Sequence, residues 1–293
     1  MKQNRKRKWL SVVLFMGIVL ALQSCRIADL RTSAIDRSAP DREQKAIDLL
    51  NKAIESQNLG VLADSETYSY KATDNWKGLF ALVNPFPKDN EPMEMRFRPR
   101  SFDSQFYYLN AKDTTLYGVQ SFNYYKINPD GNVKLKGKRA LSYALPAIQY
   151  LFELPIRIKE APILKYAGIK EFEGSTYDVV FATWESLEPN KEFDQYLLYI
   201  SQDTGLLTLA SYTVRGASFP SPRNIYGSIR YEDIKENADG IKYPTTLHIQ
   251  INGPKSKRKS IRKMTLKELE LNRFKVSKLY PDNELEFLGD SKN

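Results

Sequence analysis

The sequence predicts an α+β protein built mainly from antiparallel β-strands, with a helix at its start and a short helical plug at mid-chain. Three observations predict this class. The early stretch "DREQKAIDLLNKAIESQN" places apolar residues at helical spacing. From about Lys71 the period changes to two, in segments rich in Tyr, Phe, Val, Ile and Thr. One later apolar run, "ALSYALPAIQYLFELPIRIK", returns to the helical period and interrupts the strands.

The chain opens with a basic segment, Lys2, Arg5, Lys6, Arg7 and Lys8, followed by the uncharged run Trp9 to Leu22. That run is short of the ~20 residues a membrane-spanning helix needs and has the length of a signal-peptide core. It ends in "LQSC", whose Cys25 is the only cysteine of the 293 residues. The order of an aliphatic residue, Gln, a small residue and cysteine resembles the lipobox of bacterial lipoproteins. The resemblance implies cleavage between Ser24 and Cys25 and attachment of diacylglycerol to the Cys25 thiol. Ser24 is small enough for a peptidase subsite, and Leu22 fills an apolar one. An uncleaved anchor helix with an incidental cysteine is the alternative. A lone cysteine excludes an internal disulfide and a multi-cysteine metal site.

Residues 1–24 carry five basic and no acidic residues, so their removal lowers the formal charge from +9 to +4. That remainder is too mild to indicate a nucleic-acid partner. Residues 25–40 read as a tether, "RIADLRTSAIDRSAP" after the cysteine, which fully extended would reach about 50 Å. The globular domain is expected over 41–290. Its first helix carries the stripe Ala46, Leu49, Leu50, Ala53 and Ile54, with Asp41 or Ser38 as cap and Gln44 placed for a capping box.

The candidate strands begin with "WKGLFALV", "EMRFR", "SQFYYLN", "TLYGVQ" and "FNYYKIN". After the plug come "STYDVVFATW", "FDQYLLYIS", "GLLTLASYTVRG", "NIYGSIRYEDI", "YPTTLHIQI" and "SIRKMTLKELELN". Turn sequences such as "NPDGN", "EFEGS", "QDTGL" and "NADGI" separate them, so successive strands pair antiparallel. In the plug, Leu141, Leu145, Ile148, Leu151 and Phe152 form a stripe, and Pro146 and Pro155 are expected to kink or break it into one or two short helices.

Five stretches carry a family resemblance: "KAIDLLNKAIESQN" before the first strand, "EFEGSTYDVVFATW", "YLLYISQDTGLLTLASYTV", "IRYEDIKENADGIKYPTTLHI" and "LKELELNRFKVSKLY". In order and spacing they resemble the LolA/LolB-like superfamily of outer-membrane lipoprotein-sorting proteins, and closer still uncharacterised Bacteroidota lipoproteins of that fold. The resemblance implies an open, strongly curved half-barrel sheet with helices over its concave mouth and a greasy inner face. In the carriers that face holds lipoprotein acyl chains. It implies no catalytic residue and no cofactor. The stretch "RIAD" after the cysteine lacks an acidic export run and an Asp directly after the cysteine. By resemblance, the expected address is the periplasmic face of the outer membrane, with the membrane itself as a partner through the lipid anchor.

Several strands are apolar on both faces. "WKGLFALV" sets Trp76, Phe80 and Leu82 against Leu79, Ala81 and Val83, and "FDQYLLYIS" sets Phe193, Leu197 and Tyr199 against Tyr196, Leu198 and Ile200. Two covered faces need two partners. Helices supply one; the other is a cavity for an apolar ligand or a solid core. For a cavity, Trp76, Phe80, Phe97, Phe106, Tyr108 and Tyr124 line the early strands, and Leu145, Ile148 and Phe152 close the mouth. Phe97 points inward because Arg96 and Arg98 flank it; the phase of the others takes the larger apolar residue as inward.

The remaining motifs are weaker. His248, the sole histidine, lies opposite Leu247, Ile249 and Ile251 and points outward. No metal site and no nucleophile–histidine pair is expected. "DTG" at 203–205 superficially matches an aspartic-protease triplet but reads as a hairpin turn. The basic cluster Lys255 to Lys263 is either a solvated hairpin tip or a contact for anionic headgroups. The leading functional expectation is a membrane-anchored binder of an apolar ligand, a lipid or a lipoprotein acyl chain. Its rivals are an envelope interaction or sensor module docking a protein, and a hydrolase using Asp or Glu, for which no carboxylate spacing speaks.

Overall fold

The computed structural model describes residues 27–35, 41–112, 114–135, 139–215, 223–255 and 259–280. Thirteen strands form one sheet, in the order β6-β5-β4-β3-β2-β1-β13-β12-β11-β10-β9-β8-β7. The first meander comprises β1 (Tyr68–Trp76), β2 (Met93–Phe97), β3 (Ser104–Tyr108), β4 (Leu116–Gln120), β5 (Asn123–Ile127) and the two-residue β6 (Val133–Lys134). The second comprises β7 (Ile163–Phe172), β8 (Ser175–Thr183), β9 (Tyr196–Ser201), β10 (Leu207–Thr213), β11 (Tyr226–Glu236), β12 (Lys242–Ile251) and β13 (Arg262–Leu271). The two join where β13 pairs antiparallel with β1, Tyr68 opposite Leu271 and Trp76 opposite Arg262. All ladders are antiparallel, as the turn sequences predicted, in the curved half-barrel that the resemblance implied.

This topology explains the plug. β6 and β7 are the two opposite edges of the sheet, so the segment joining them must cross its whole width. It does so as helices α3 (Arg139–Phe152) and α4 (Leu154–Ile158), laid over the concave face. Pro146 is carried inside α3 without splitting it, and Pro155 sits in the first turn of α4, a turn whose N–H groups have no intrahelical partner to lose. Before β1, helix α1 (Asp41–Gln57) packs on β7, β8 and α4, and the short α2 (Leu59–Asp64) follows it. Ala46, Leu49, Leu50 and Ala53 are its buried stripe, as the spacing predicted. Gln44 donates to Asp48 Oδ1 at 2.8 Å instead of turning back to close a capping box.

Two strand assignments need correction. "WKGLFALV" is not a strand beyond Trp76. Gly78, at φ 59°, turns the chain out of the sheet, and Gly78–Val83 forms a 3₁₀ turn. β7, absent from the candidate strands, has little alternation to read, because a register shift between Tyr166 and Ile169, with Gly168 at φ 92°, interrupts it.

The segment read as a tether is docked where it is described. Ala28 and Leu30 are buried. Leu30 N donates to Gln195 Oε1 at 2.8 Å, Thr32 Oγ1 donates to Ala167 O at 2.8 Å, and Arg31 pairs with Glu188. Leu30 sits with Ala167, Tyr177, Phe181, Leu197 and Tyr199 in a second apolar cluster on the convex face. The two-sided apolar pattern of β9 is thereby explained: Tyr196, Leu198 and Ile200 face the helices, while Leu197 and Tyr199 face residues 27–35. Leu30→Ala is expected to lower stability by about 2 kcal/mol in urea unfolding. An unchanged midpoint would show the segment to be a loose passenger.

Candidate functional site

The concave face is lined from the strands by alternate residues: Tyr68 and Tyr70 on β1, Met95 and Phe97 on β2, Phe106 and Tyr108 on β3. Seven of the nine residues expected to line a cavity, namely Phe97, Phe106, Tyr108, Tyr124, Leu145, Ile148 and Phe152, fall in this one buried cluster. Leu145, Ile148 and Phe152 of α3 occupy the concavity, and Phe152 stacks on Tyr68 with ring centroids 5.7 Å apart. In this state the sheet's inner face is covered by the chain's own plug. Trp76 lies half-buried at the rim on the same face, outside the cluster. Phe80 is not brought there; it belongs to the 3₁₀ turn. Ser24 and Cys25 lie outside the described residues.

The plug is held by a polar clamp that the sequence reading missed. Glu153, at the junction of α3 and α4, and Arg157 are an ion pair with side chains 0% and 1% exposed, Oε2 to Nε 2.8 Å. Tyr68 Oη and Gln149 Nε2 donate to Glu153 Oε1 at 2.8 and 3.0 Å, and Arg100 N donates to Oε2 at 3.1 Å. Arg157 also donates to Ser101 O and lies 4.7 Å over the Phe102 ring. Burial foremost, then the Glu153 charge, pushes the Tyr68 phenol well above its ordinary value. Tyr231 Oη fixes the end of α3 by donating to Leu151 O at 2.8 Å. The legible signal was a charge pair four residues apart inside an otherwise apolar run, "FELPIR".

A second buried pair stands at the rim. Asp74 Oδ1 accepts from Arg262 Nε at 2.7 Å and Asp74 Oδ2 from Trp76 Nε1 at 2.9 Å, while the guanidinium lies 4.9 Å over the indole. Arg262 shares the inward phase of Met264 and Leu266 along β13. Its Nη2 and the Tyr70 hydroxyl are buried without a hydrogen-bond partner among the described groups. Burial raises the Tyr70 and Tyr212 phenols, the latter to about 12, and the Arg262 charge works against both shifts. Arg262 thus sits between β1 and β10 on the concave side, next to an apolar surface.

The other motifs resolve plainly. His248 is on the convex face as expected but is buried there, within 3.1 Å of Ser260 Oγ and 3.5 Å of Glu232 Oε2. Asp203 and Thr204 lie in the β9–β10 turn, where Gly205 takes φ 72°. Among the described residues no group of three or more His, Cys, Asp or Glu could hold a metal ion.

No protein-family model and no curated protein sequence matches the chain. Solved structures do. A domain from Vibrio parahaemolyticus described as an outer membrane lipoprotein-sorting protein aligns at TM-score 0.50 and 8% identity, over 81% of this chain and 97% of its own. A LolA superfamily protein from Nitrosomonas europaea aligns at TM-score 0.49 and 11% identity, over 82% of this chain and 99% of its own. At 8% identity the likeness to the Vibrio domain concerns the fold alone, a curved antiparallel sheet with helices across its concave side.

Proposed function

We propose that the protein is a lipoprotein of the bacterial envelope, anchored through Cys25 to the periplasmic face of the outer membrane, whose half-barrel binds an apolar ligand in place of its helical plug. The observation that carries this reading is the concave face itself. It is apolar and aromatic, and it bears two buried polar atoms, Tyr70 Oη and Arg262 Nη2, with no hydrogen-bond partner among the described residues. An unpaired buried donor costs about 1–3 kcal/mol, and a greasy concavity with a few convergent polar groups is the usual make-up of a ligand site. An acyl chain would replace Leu145, Ile148 and Phe152 against the sheet, and its ester or amide carbonyl would accept from Arg262 and Tyr70. Asp74 already balances the Arg262 charge, so a neutral acceptor suits the position better than a free anion. The reading assigns binding and no catalytic residue.

The described core runs from Ala28 to Leu279, so the chain from Arg26 onward retains all of it. That chain is expected to bind an environment-sensitive fluorescent fatty-acid ester saturably. Absence of binding by every acyl probe would leave a solid core and hand the reading to an interaction module. In cells fed labelled fatty acid, Cys25→Ala is expected to remove the label and the membrane attachment together. Retention of both would refute the anchor.

A further inference from the structure

Three successive connections leave the same end of the sheet. β1 ends at Trp76 opposite Arg262, the start of β13; β12 ends at Ile251 opposite Gly227, near the start of β11; β10 ends at Thr213 opposite Tyr226. Strands lie ~4.8 Å apart, so this end spans about 20 Å from β1 to β10.

Three independent features converge there. The first is the turn Gly78–Val83, where Leu79, Leu82 and Val83 are 83%, 84% and 60% exposed. Scattered exposed leucines are ordinary, but three on one tight turn form a projecting apolar tip. The second is charge. Lys77 precedes the tip, its N–H donating to Ile261 O at 2.8 Å, and alongside stand Lys255 and Lys259 of the β12–β13 connection and Lys263 at the start of β13. Asp89, in the β1–β2 connection, is turned back onto Trp76 N and Asn84 Nδ2. The third is the path of the N-terminus. Ala28 N donates to Arg223 O at 2.8 Å and Ala28 O accepts from Arg215 Nη2 at 2.9 Å, both in the β10–β11 connection. Cys25 lies three positions before Ala28, a reach of at most about 11 Å. A lipid on Cys25 therefore brings this end of the sheet to the bilayer, with none of the stand-off that a free tether would allow.

We infer that this end of the sheet is a membrane-docking surface, with Leu79, Leu82 and Val83 entering an anionic bilayer and Lys77, Lys255, Lys259 and Lys263 meeting its headgroups. The orientation points the rim pair Asp74–Arg262 and Trp76 at the lipid. The inference draws on the anchor proposed above, but its test needs neither the anchor nor the cavity.

The chain from Arg26 is mixed with vesicles of phosphatidylcholine containing roughly 30% phosphatidylglycerol and sedimented. It is expected to bind without its lipid, and more weakly to pure phosphatidylcholine. Leu79→Asp with Leu82→Asp is expected to weaken binding about tenfold or more, and Lys77→Glu with Lys259→Glu to weaken it and remove its salt dependence. All four side chains are exposed, so melting temperature and binding of the acyl probe should not change. Loss of acyl binding in the wild type with vesicle binding intact would remove the cavity reading and leave this one standing. A wild type that stays in solution with every vesicle, or variants that bind as it does, would overturn the inference. Variants that instead lose a co-purifying protein would reassign the surface to that partner.

Discussion

Replacing Glu153 by alanine is expected to cost about 3–5 kcal/mol of stability, because it strips the countercharge from a buried arginine. Arg157, 1% exposed, would keep its bond to Ser101 O and its contacts with the Phe102 and Tyr150 rings but lose its countercharge. Tyr68 Oη would lose its acceptor at the cost of an unsatisfied buried donor, and the part-buried Arg100 N would lose its acceptor as well. The damage should concentrate where the plug meets the sheet, so urea unfolding is expected to lose cooperativity, with amides of 139–158 exchanging first. The pair's own contribution is separable. Glu153→Leu combined with Arg157→Met keeps the volume and removes both charges, and is expected to recover most of the loss. A single variant within about 1 kcal/mol of wild type would mean that the apolar stripe of α3 alone holds the plug.

How much of this was readable beforehand depends on what each residue touches. The α1 stripe and β2, where Met93, Met95 and Phe97 are buried and Glu94 and Arg96 are not, follow from one-sided burial, which leaves a period in the sequence. β9 was also read as two-sided correctly, but the partner of its outer face was not a ligand. It was residues 27–35, whose Leu30 and Ile35 are isolated apolar residues without any period. "GLFALV" has the composition of a strand, yet one left-handed glycine sends it into solvent. The clamp and the rim pair escaped because a charge ordinarily marks the solvent face, as Arg96 and Arg98 do for Phe97 in that reading. Asp74 and Arg262 sit inward because each supplies the other's missing solvation.

Ligand binding is expected to show a steep threshold in acyl chain length and to be tightened by weakening the plug. Burial of a chain is worth ~0.8 kcal/mol per methylene, so a 16-carbon chain gains about 12 kcal/mol and an 8-carbon chain about 6. Against this stands removal of Leu145, Ile148 and Phe152 from the concave face, about 1.5–3 kcal/mol each, together with the entropy of association. The short chain falls below even the low end of that cost, about 8–9 kcal/mol, whereas the long one exceeds that end. The closed plug thus acts as a competitor, and apparent affinity is the intrinsic affinity scaled by the fraction of molecules with the plug lifted. Tyr231→Phe removes the bond to Leu151 O and should weaken the closed state by about 1 kcal/mol. It is therefore expected to lower stability and yet tighten binding of the long-chain probe about fivefold. Deuterium exchange supplies the second readout: saturating probe should raise exchange across α3 and α4 while strands β1 to β3 become more protected. A ligand accommodated without moving the plug would give the opposite pattern, with Tyr231→Phe neutral or weaker and 139–158 protected, and the displacement mechanism would then have to be abandoned.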